Sequence, residues 1–238
     1  MTQPDMSPSI CGPGCCEPGC CETGDSAKDS TTSVEYFEEV ASQWDTMRAG
    51  FFTDTVREKA LRLAQIQSGK MAADIGAGTG YVTEALLRHG LDVIAIDRSP
   101  KMLEKVLKKF SSSHHFTYRV GESNQLPLGN ETVDYAFANM YLHHVESPET
   151  AIKEMARILK KGGRLVVTDL DEHDHAFLRE EQHDRWLGFQ HEAIRRWFED
   201  AGLVNVEVSG LEENCCACST KSTENADIKI FAAVGEKA

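Results

Sequence analysis

Met71-Ala-Ala-Asp-Ile-Gly-Ala-Gly-Thr-Gly80, followed by Tyr81-Val-Thr-Glu-Ala-Leu-Leu-Arg-His89, decides how the chain is read. A short apolar run ends in an acid. Three glycines then alternate at positions 76, 78 and 80, and an amphipathic helical pattern follows. The order is strand, tight turn, helix. Glycines let a backbone take positive φ and approach a ligand that a Cβ would hold off. The dinucleotide fingerprint is G-x-G-x-x-G, with a pyrophosphate on the helix N-terminus. Here the spacing is G-x-G-x-G with Asp74 just before the turn. A carboxylate pointing into the site repels a pyrophosphate and attracts a cation, so the expected ligand is a nucleoside with a positively charged tail.

A second apolar run, Leu91-Asp-Val-Ile-Ala-Ile-Asp97, ends in an acid roughly 20 residues after the glycines, the distance expected of a ribose-binding carboxylate. Further motifs follow in order: Asp97-Arg-Ser-Pro-Lys-Met-Leu103, Gly121-Glu-Ser-Asn-Gln-Leu-Pro127, Val133-Asp-Tyr-Ala-Phe-Ala-Asn139 and Ile158-Leu-Lys-Lys-Gly-Gly-Arg-Leu165. Together with Asp74-Ile-Gly-Ala-Gly-Thr-Gly80 they resemble the class I S-adenosylmethionine-dependent methyltransferases over about residues 34 to 208. A narrower resemblance, over Phe177-Leu-Arg-Glu-Glu-Gln-His-Asp-Arg-Trp-Leu-Gly-Phe189, is to a methyltransferase subfamily found fused to arsenic-responsive repressor domains, related to arsenic-operon and quinone-biosynthesis enzymes. No such DNA-binding domain is expected here.

The 238 residues suffice for one α/β domain with a full core. No apolar run approaches the roughly 20 residues of a membrane span, and the N-terminus lacks a basic-then-apolar signal. The expectation is a cytoplasmic protein with no membrane partner. A net charge of −13 disfavours a nucleic-acid partner, because such binding rests on Lys and Arg neutralising phosphates. The dense basic run Lys101 to Lys109 reads as a solvated helix face. The eight cysteines avoid the middle of the chain. They fall in Cys11-Gly-Pro-Gly-Cys-Cys-Glu-Pro-Gly-Cys-Cys21 and Cys215-Cys-Ala-Cys218. In a cytoplasmic protein such clusters more often bind soft metals or do redox chemistry than form structural disulfides.

Residues 1–32 are rich in Gly, Pro, Ser, Thr and Cys and cannot bury a core; they are expected to be a disordered tail. From Ser33 a helical pattern runs through Tyr36, Phe37, Val40, Trp44 and Met47, and a second helix covers about Asp54 to Gln67. Strand candidates at 71–75, 92–96, 116–119, 133–138 and 164–169 alternate with helices, the pattern of a parallel sheet covered on both faces. A helical stretch is expected from about Ala176 to Trp186 and another from Gln190 to Ala201, then strands at 204–209 and 227–235.

The resemblance implies a Rossmann-like, doubly wound, seven-stranded and mostly parallel sheet, with helices on both faces and an antiparallel last strand inserted beside the sixth. The loop holding Cys215, Cys216 and Cys218 would then hang over the active-site mouth. It also implies S-adenosylmethionine as cofactor. Asp74, Gly76, Ala77, Gly78 and Gly80 would form the loop under its methionine part, and Asp97 with Arg98 would hold the ribose. Glu122 and Ser123 would lie near the adenine amine, where the family usually shows Asp. The backbone of Asn139 would meet the amino and carboxylate end. Trp44, in Tyr36-Phe-Glu-Glu-Val-Ala-Ser-Gln-Trp-Asp45, would belong to a lid that excludes water and offers a π face to the sulfonium. His143 and His144 are the candidate catalytic bases. Asp171-Glu-His-Asp-His175 could hold a metal by composition.

Methyl transfer asks mainly for in-line positioning and desolvation, so the acceptor leaves few marks. The cysteines are the distinctive ones. Thiolates are soft ligands, so Cys215, Cys216 and Cys218 could present arsenite or another soft metalloid to the sulfonium. Arsenite methyltransferases, however, carry key cysteines inside the core, and this core has none. A small organic acceptor, such as a quinone precursor, fits the general motifs equally well. A metal-binding or sensor protein on a methyltransferase scaffold is the non-enzymatic alternative.

Overall fold

The computed structural model describes residues 33–238. The cluster Cys11 to Cys21, and the expectation of a disordered tail, lie outside the described residues. Seven strands form one sheet: β1 Met71–Ile75, β2 Asp92–Asp97, β3 Phe116–Val120, β4 Val133–Asn139, β5 Leu159–Leu170, β6 Leu203–Cys218 and β7 Asn225–Lys237. Their order is β3-β2-β1-β4-β5-β7-β6. β1 pairs in parallel with β2 and β4, β2 with β3, and β4 with β5. β7 is antiparallel to both β5 and β6, so β6 runs in the direction of the first five strands. The expected fold class and the inserted antiparallel strand are both observed.

The apolar runs read from the sequence are strands buried on both faces, as parallel strands covered by helices must be. Their side chains alternate between two cores. Ala72, Tyr135, Phe137 and Val166 face a core shared with α3 (Thr55–Ala64) and α4 (Tyr81–Arg88). Ala73, Ala136, Ala138 and Val167 face one shared with α6 (Pro148–Ile158) and α8 (His191–Asp200). Phe137 and Phe198 are fully buried, one in each core. Burying such a side chain contributes roughly 1.5–3 kcal/mol. α5 (Pro100–Phe110) starts on a sequence-coded cap: the Ser99 hydroxyl accepts from the Met102 amide, and Pro100 occupies the first turn.

Three expectations are corrected. The single N-terminal helix is two, α1 (Ser33–Val40) and α2 (Trp44–Phe51), separated by a turn at residues 41–43. The break brings the Phe37 and Trp44 rings edge to face at 5.3 Å. The stretch 176–186 is helical only over α7 (Phe177–Glu181), because His183 takes a left-handed φ of +58° that no helix accommodates. The cysteines at 215–218 are not in a loop. β6 extends through them, with register shifts near 205 and 212 where Asn205 and Glu212 adopt positive φ. Among the described residues, no helix is long and apolar enough to cross a membrane.

Candidate active site

β1 and β4 are neighbours, but the chain leaving β1 enters α4 on one face and the chain leaving β4 leads to α6 on the other. Between such strands a crevice opens at their carboxyl ends. A cavity of about 250 Å³ occupies it. The glycine loop, the end of β2, the segment after β4 and the α1–α2 pair all contribute to its lining.

The three glycines have different tasks. Gly76 and Gly78 line the cavity with φ of +68° and +53°. A Cβ on Gly76 would lie 2.1 Å from the Tyr141 ring, so the backbone here is bare by necessity. The amides of Gly76 and Ala77 donate to the Ile96 carbonyl, at 2.8 and 3.1 Å, and tether the loop to β2. Gly80, at φ +91°, stands outside the cavity lining; a Cβ there would meet Phe110 at 2.8 Å, so its task is helix packing. Asp97 is the tie between loop and strand: its carboxylate accepts from the Gly78 amide at 2.9 Å and from the Ser99 amide at 2.8 Å. Burial raises its pKa, partly offset by these hydrogen bonds.

Asp74 has a second task beside facing the site. It lines the cavity, but one oxygen accepts from both the amide and the hydroxyl of Thr83, at 2.8 and 2.6 Å, fastening the first turn of α4. Burial pushes its pKa up to about 6 against those hydrogen bonds. Arg98, Glu122, Ser123 and Asn139 all line the cavity, and Asn139 Oδ1 accepts from the Thr168 hydroxyl at 2.7 Å.

The lid is fastened to the loop it covers. Trp44 Nε1 would sit 3.4 Å from a Cβ on Gly78, so the indole lies against the loop. Its neighbour Asp45 accepts from the Thr79 hydroxyl and from Lys109 Nζ, both at 2.6 Å, and Lys109 also donates to the Thr79 carbonyl. The basic face of α5 is thus not merely solvated. These residues fit an S-adenosyl cofactor: a side-chain-free loop, a carboxylate at the end of β2, and an aromatic ring over the loop.

His143 and His144 occupy a 3₁₀ turn, Leu142–His144, just after β4. His143 Nδ1 lies 2.6 Å from Asp169 Oδ1, and its Nε2 lies 3.8 Å from Asp184 Oδ1. Burial pulls the His143 pKa down, but the two carboxylates and the Asp169 hydrogen bond outweigh it, leaving it at about 9. The charged form of His143 is thus favoured, which suits a hydrogen-bond donor at Nε2 better than the base expected from the sequence. His144 lies against the Phe37 ring at 4.9 Å, and its pKa is held well below the ordinary histidine value by burial and by the His143 charge. Asp169 and Asp184 went unrecognised in the sequence. The segment Asp171 to His175 brings no metal-like group together among the described residues: Asp171 pairs with His191 at 2.7 Å and His175 with Glu224 at 3.2 Å.

The His143 charge makes stability depend on pH with a definite sign. Its pKa is raised on folding, so its contribution is complete below the unfolded value near 6.5 and disappears as pH climbs through about 9. Chemical denaturation of wild type and His143→Gln across that window is expected to show an advantage on the order of 2–3 kcal/mol shrinking as pH rises. A pH-independent difference would contradict the imidazolium assignment.

The cysteines alternate across β6 as strand residues must. Cys215 is buried and lines the cavity, with Ala217 beside it; Cys216 and Cys218 do not line it. Cys216 lies 3.7 Å from Asp227 Oδ1. Burial pushes the Cys215 thiol up, so it is a neutral thiol rather than a thiolate. The three sulfurs form no converging group.

Residues 73–167 match a family described as a methyltransferase domain. A rice 2-methyl-6-phytyl-1,4-hydroquinone methyltransferase, chloroplastic in location, is 28% identical over 163 residues, covering 67% of this chain and 49% of the relative. A demethylmenaquinone methyltransferase of Tropheryma whipplei is 31% identical over 136 residues, 56% of each chain. The chain thus spans about half the length of these curated relatives. Among solved structures, a chain of the Haloferax volcanii complex between the Trm112 methyltransferase activator and a methyltransferase aligns with a TM-score of 0.70 at 22% identity, covering 86% of this chain and 97% of that one. The (4+2) cyclase SpnF aligns with a TM-score of 0.67 at 15% identity, covering 87% and 96%. A likeness this remote shows the fold alone, and the cyclase illustrates that one fold hosts different chemistries. The glycine loop, the two strand-end acids, the strand order and the matched domain agree: residues 73–167 carry a methyltransferase domain, set in a fold like that of the class I S-adenosylmethionine-dependent methyltransferases.

Proposed function

We propose that this chain methylates a small, largely apolar organic acceptor bearing a hydroxyl group, of the hydroquinone or quinone-precursor class, with S-adenosylmethionine as donor. The observation that carries the reading is the character of the cavity beside the glycine loop. Tyr36, Phe37, Phe51, Met140, Leu178 and Ile228 give it aromatic and aliphatic walls, and His143, His144 and Asp184 add a polar corner. Such a lining suits a ring with one polar substituent. The net charge of −13 and the concave site favour a small molecule over nucleic acid. The hydroquinone and menaquinone relatives point the same way. A soft metalloid would need two or three converging thiolates, whereas Cys215 alone of its cluster lines the cavity and stays protonated.

Gly76, Ala77 and Gly78 would lie under the cofactor's methionine part, Asp97 would accept from its ribose, and Trp44 with Phe37 would close over it. Bound S-adenosylmethionine supplies the methyl group: the acceptor's electron pair bonds the methyl carbon while the methyl–sulfur pair leaves with sulfur. The chain's own contribution is to hold the acceptor in line and exclude water. Incubating the full chain with methyl-labelled S-adenosylmethionine and either a methylated hydroquinone or arsenite is expected to label the hydroquinone alone. Label on arsenite and none on the hydroquinone would overturn the reading.

A further inference from the structure

We propose that His143 Nε2 and the Asp184 carboxylate form a seat for the hydroxyl oxygen of the acceptor, with Asp184 taking its proton and His143 holding the resulting oxyanion. The inference rests on the organic-acceptor reading and names the chemistry at its polar corner.

Three polar atoms are spaced so that one oxygen could be shared between two of them. His143 Nε2 and His144 Nδ1 stand 3.8 and 3.7 Å from Asp184 Oδ1. Both separations are too long for hydrogen bonds, and all three residues line the cavity. An oxygen about 2.8 Å from both His143 Nε2 and Asp184 Oδ1 would sit ~2 Å off the line between them. The same three side chains are the group among the described residues whose donor atoms lie close enough together to hold a metal ion, so zinc is an outcome of the test.

The surroundings fix which partner does what. Asp169 accepts from His143 Nδ1 at 2.6 Å, so Asp169 is a positioning residue that orients the ring and leaves Nε2–H as the donor. Asp184 is only 6% exposed. Burial, with the Asp169 charge, lifts its carboxyl to about 6 against the pull of His143, a value suited to a proton acceptor. The His144 ring, 4.0 Å from that of His143, is the third wall. The step balances simply. The acceptor O–H bond breaks, its proton goes to an Asp184 oxygen, and the electron pair stays on the acceptor oxygen facing the imidazolium. In a hydroquinone that charge is shared with the ring carbons, so both oxygen and carbon become better nucleophiles. The protonated Asp184 returns its proton to water when product leaves.

The probe is 4-nitrophenol, whose anion absorbs visible light and whose neutral form does not. Titrated into the full chain about one pH unit below the probe's own ionisation, it is expected to bind saturably and to develop the anion band. His143→Gln is expected to weaken binding at least ~10-fold and remove the band. Asp184→Asn, nearly isosteric with the protonated carboxyl and therefore the safer variant for folding, is expected to keep the band but to release the probe's proton to the buffer, where wild type retains it. No saturable binding to wild type, an anion band unchanged in His143→Gln, or proton release to buffer as large in wild type as in Asp184→Asn, would overturn the seat. So would one equivalent of zinc that survives dialysis in wild type and is lost in either variant. Failure of these tests with hydroquinone methylation intact would remove the seat and leave the methyltransferase reading standing; loss of methylation with the band intact would do the reverse.

Discussion

Asp169→Ala is expected to lower folding stability by about 3–5 kcal/mol, the range for removing one partner of a buried ion pair. Asp169 is fully buried at the end of β5. One of its oxygens accepts from the amides of Tyr141 and Leu142, at 3.2 and 2.8 Å, and the other from the Leu170 amide at 2.8 Å and from His143 at 2.6 Å. Alanine would strand three backbone donors and a buried imidazolium, and each unsatisfied group costs roughly 1–3 kcal/mol. The chain would recover part of that by letting His143 lose its proton and by admitting water. At roughly 2–4 °C per kcal/mol for a chain of this size, the melting temperature should fall by about 6–20 °C. Asp169→Asn, which keeps an acceptor for the amides but not the charge, should fall between wild type and alanine. A loss under about 1 kcal/mol in Asp169→Ala would mean that the carboxylate does not hold the 3₁₀ turn against the sheet.

That network shows where sequence reading stops. The fold was legible because its signals are local: apolar runs ending in Asp74, Asp97 and Asn139, and glycines where positive φ is required. Most residues expected on the cofactor side line the cavity, because the glycine loop, Asp97, Glu122 and Asn139 lie at or just after strand ends whose position the topology dictates. The acceptor side was not legible. Asp184 sits in a stretch whose sequence reads as helix through Trp186, and only the left-handed turn at His183 directs it toward His143. Its partner lies 41 positions earlier in the chain, and no spacing rule links the two. The cysteines illustrate the opposite error. Their topology was read correctly enough to bring Cys215 to the cavity, but a loop was assumed where β6 continues. In a strand, alternate residues face opposite ways, so three near-adjacent thiols cannot converge.

Asp97→Ala is expected to weaken S-adenosylmethionine binding about 5–150-fold, or 1–3 kcal/mol, the loss of charge-assisted hydrogen bonds to a partly buried ligand. The effect has two sources. The carboxylate would no longer accept from the ribose, and the Gly78 amide it now fixes at 2.9 Å would be released, loosening the loop that carries the methionine part. Melting of the ligand-free variant separates the two: loss of the ribose contact alone leaves its stability unchanged, whereas a released loop lowers it. Calorimetry of the full wild-type chain, titrated in turn with S-adenosylmethionine and with NAD, tests the assignment of this crevice most directly. Saturable binding of S-adenosylmethionine with a stoichiometry near one, weakened in Asp97→Ala, is expected, with no comparable heat from NAD. Tight binding of NAD, or S-adenosylmethionine affinity untouched by the loss of Asp97, would contradict that assignment.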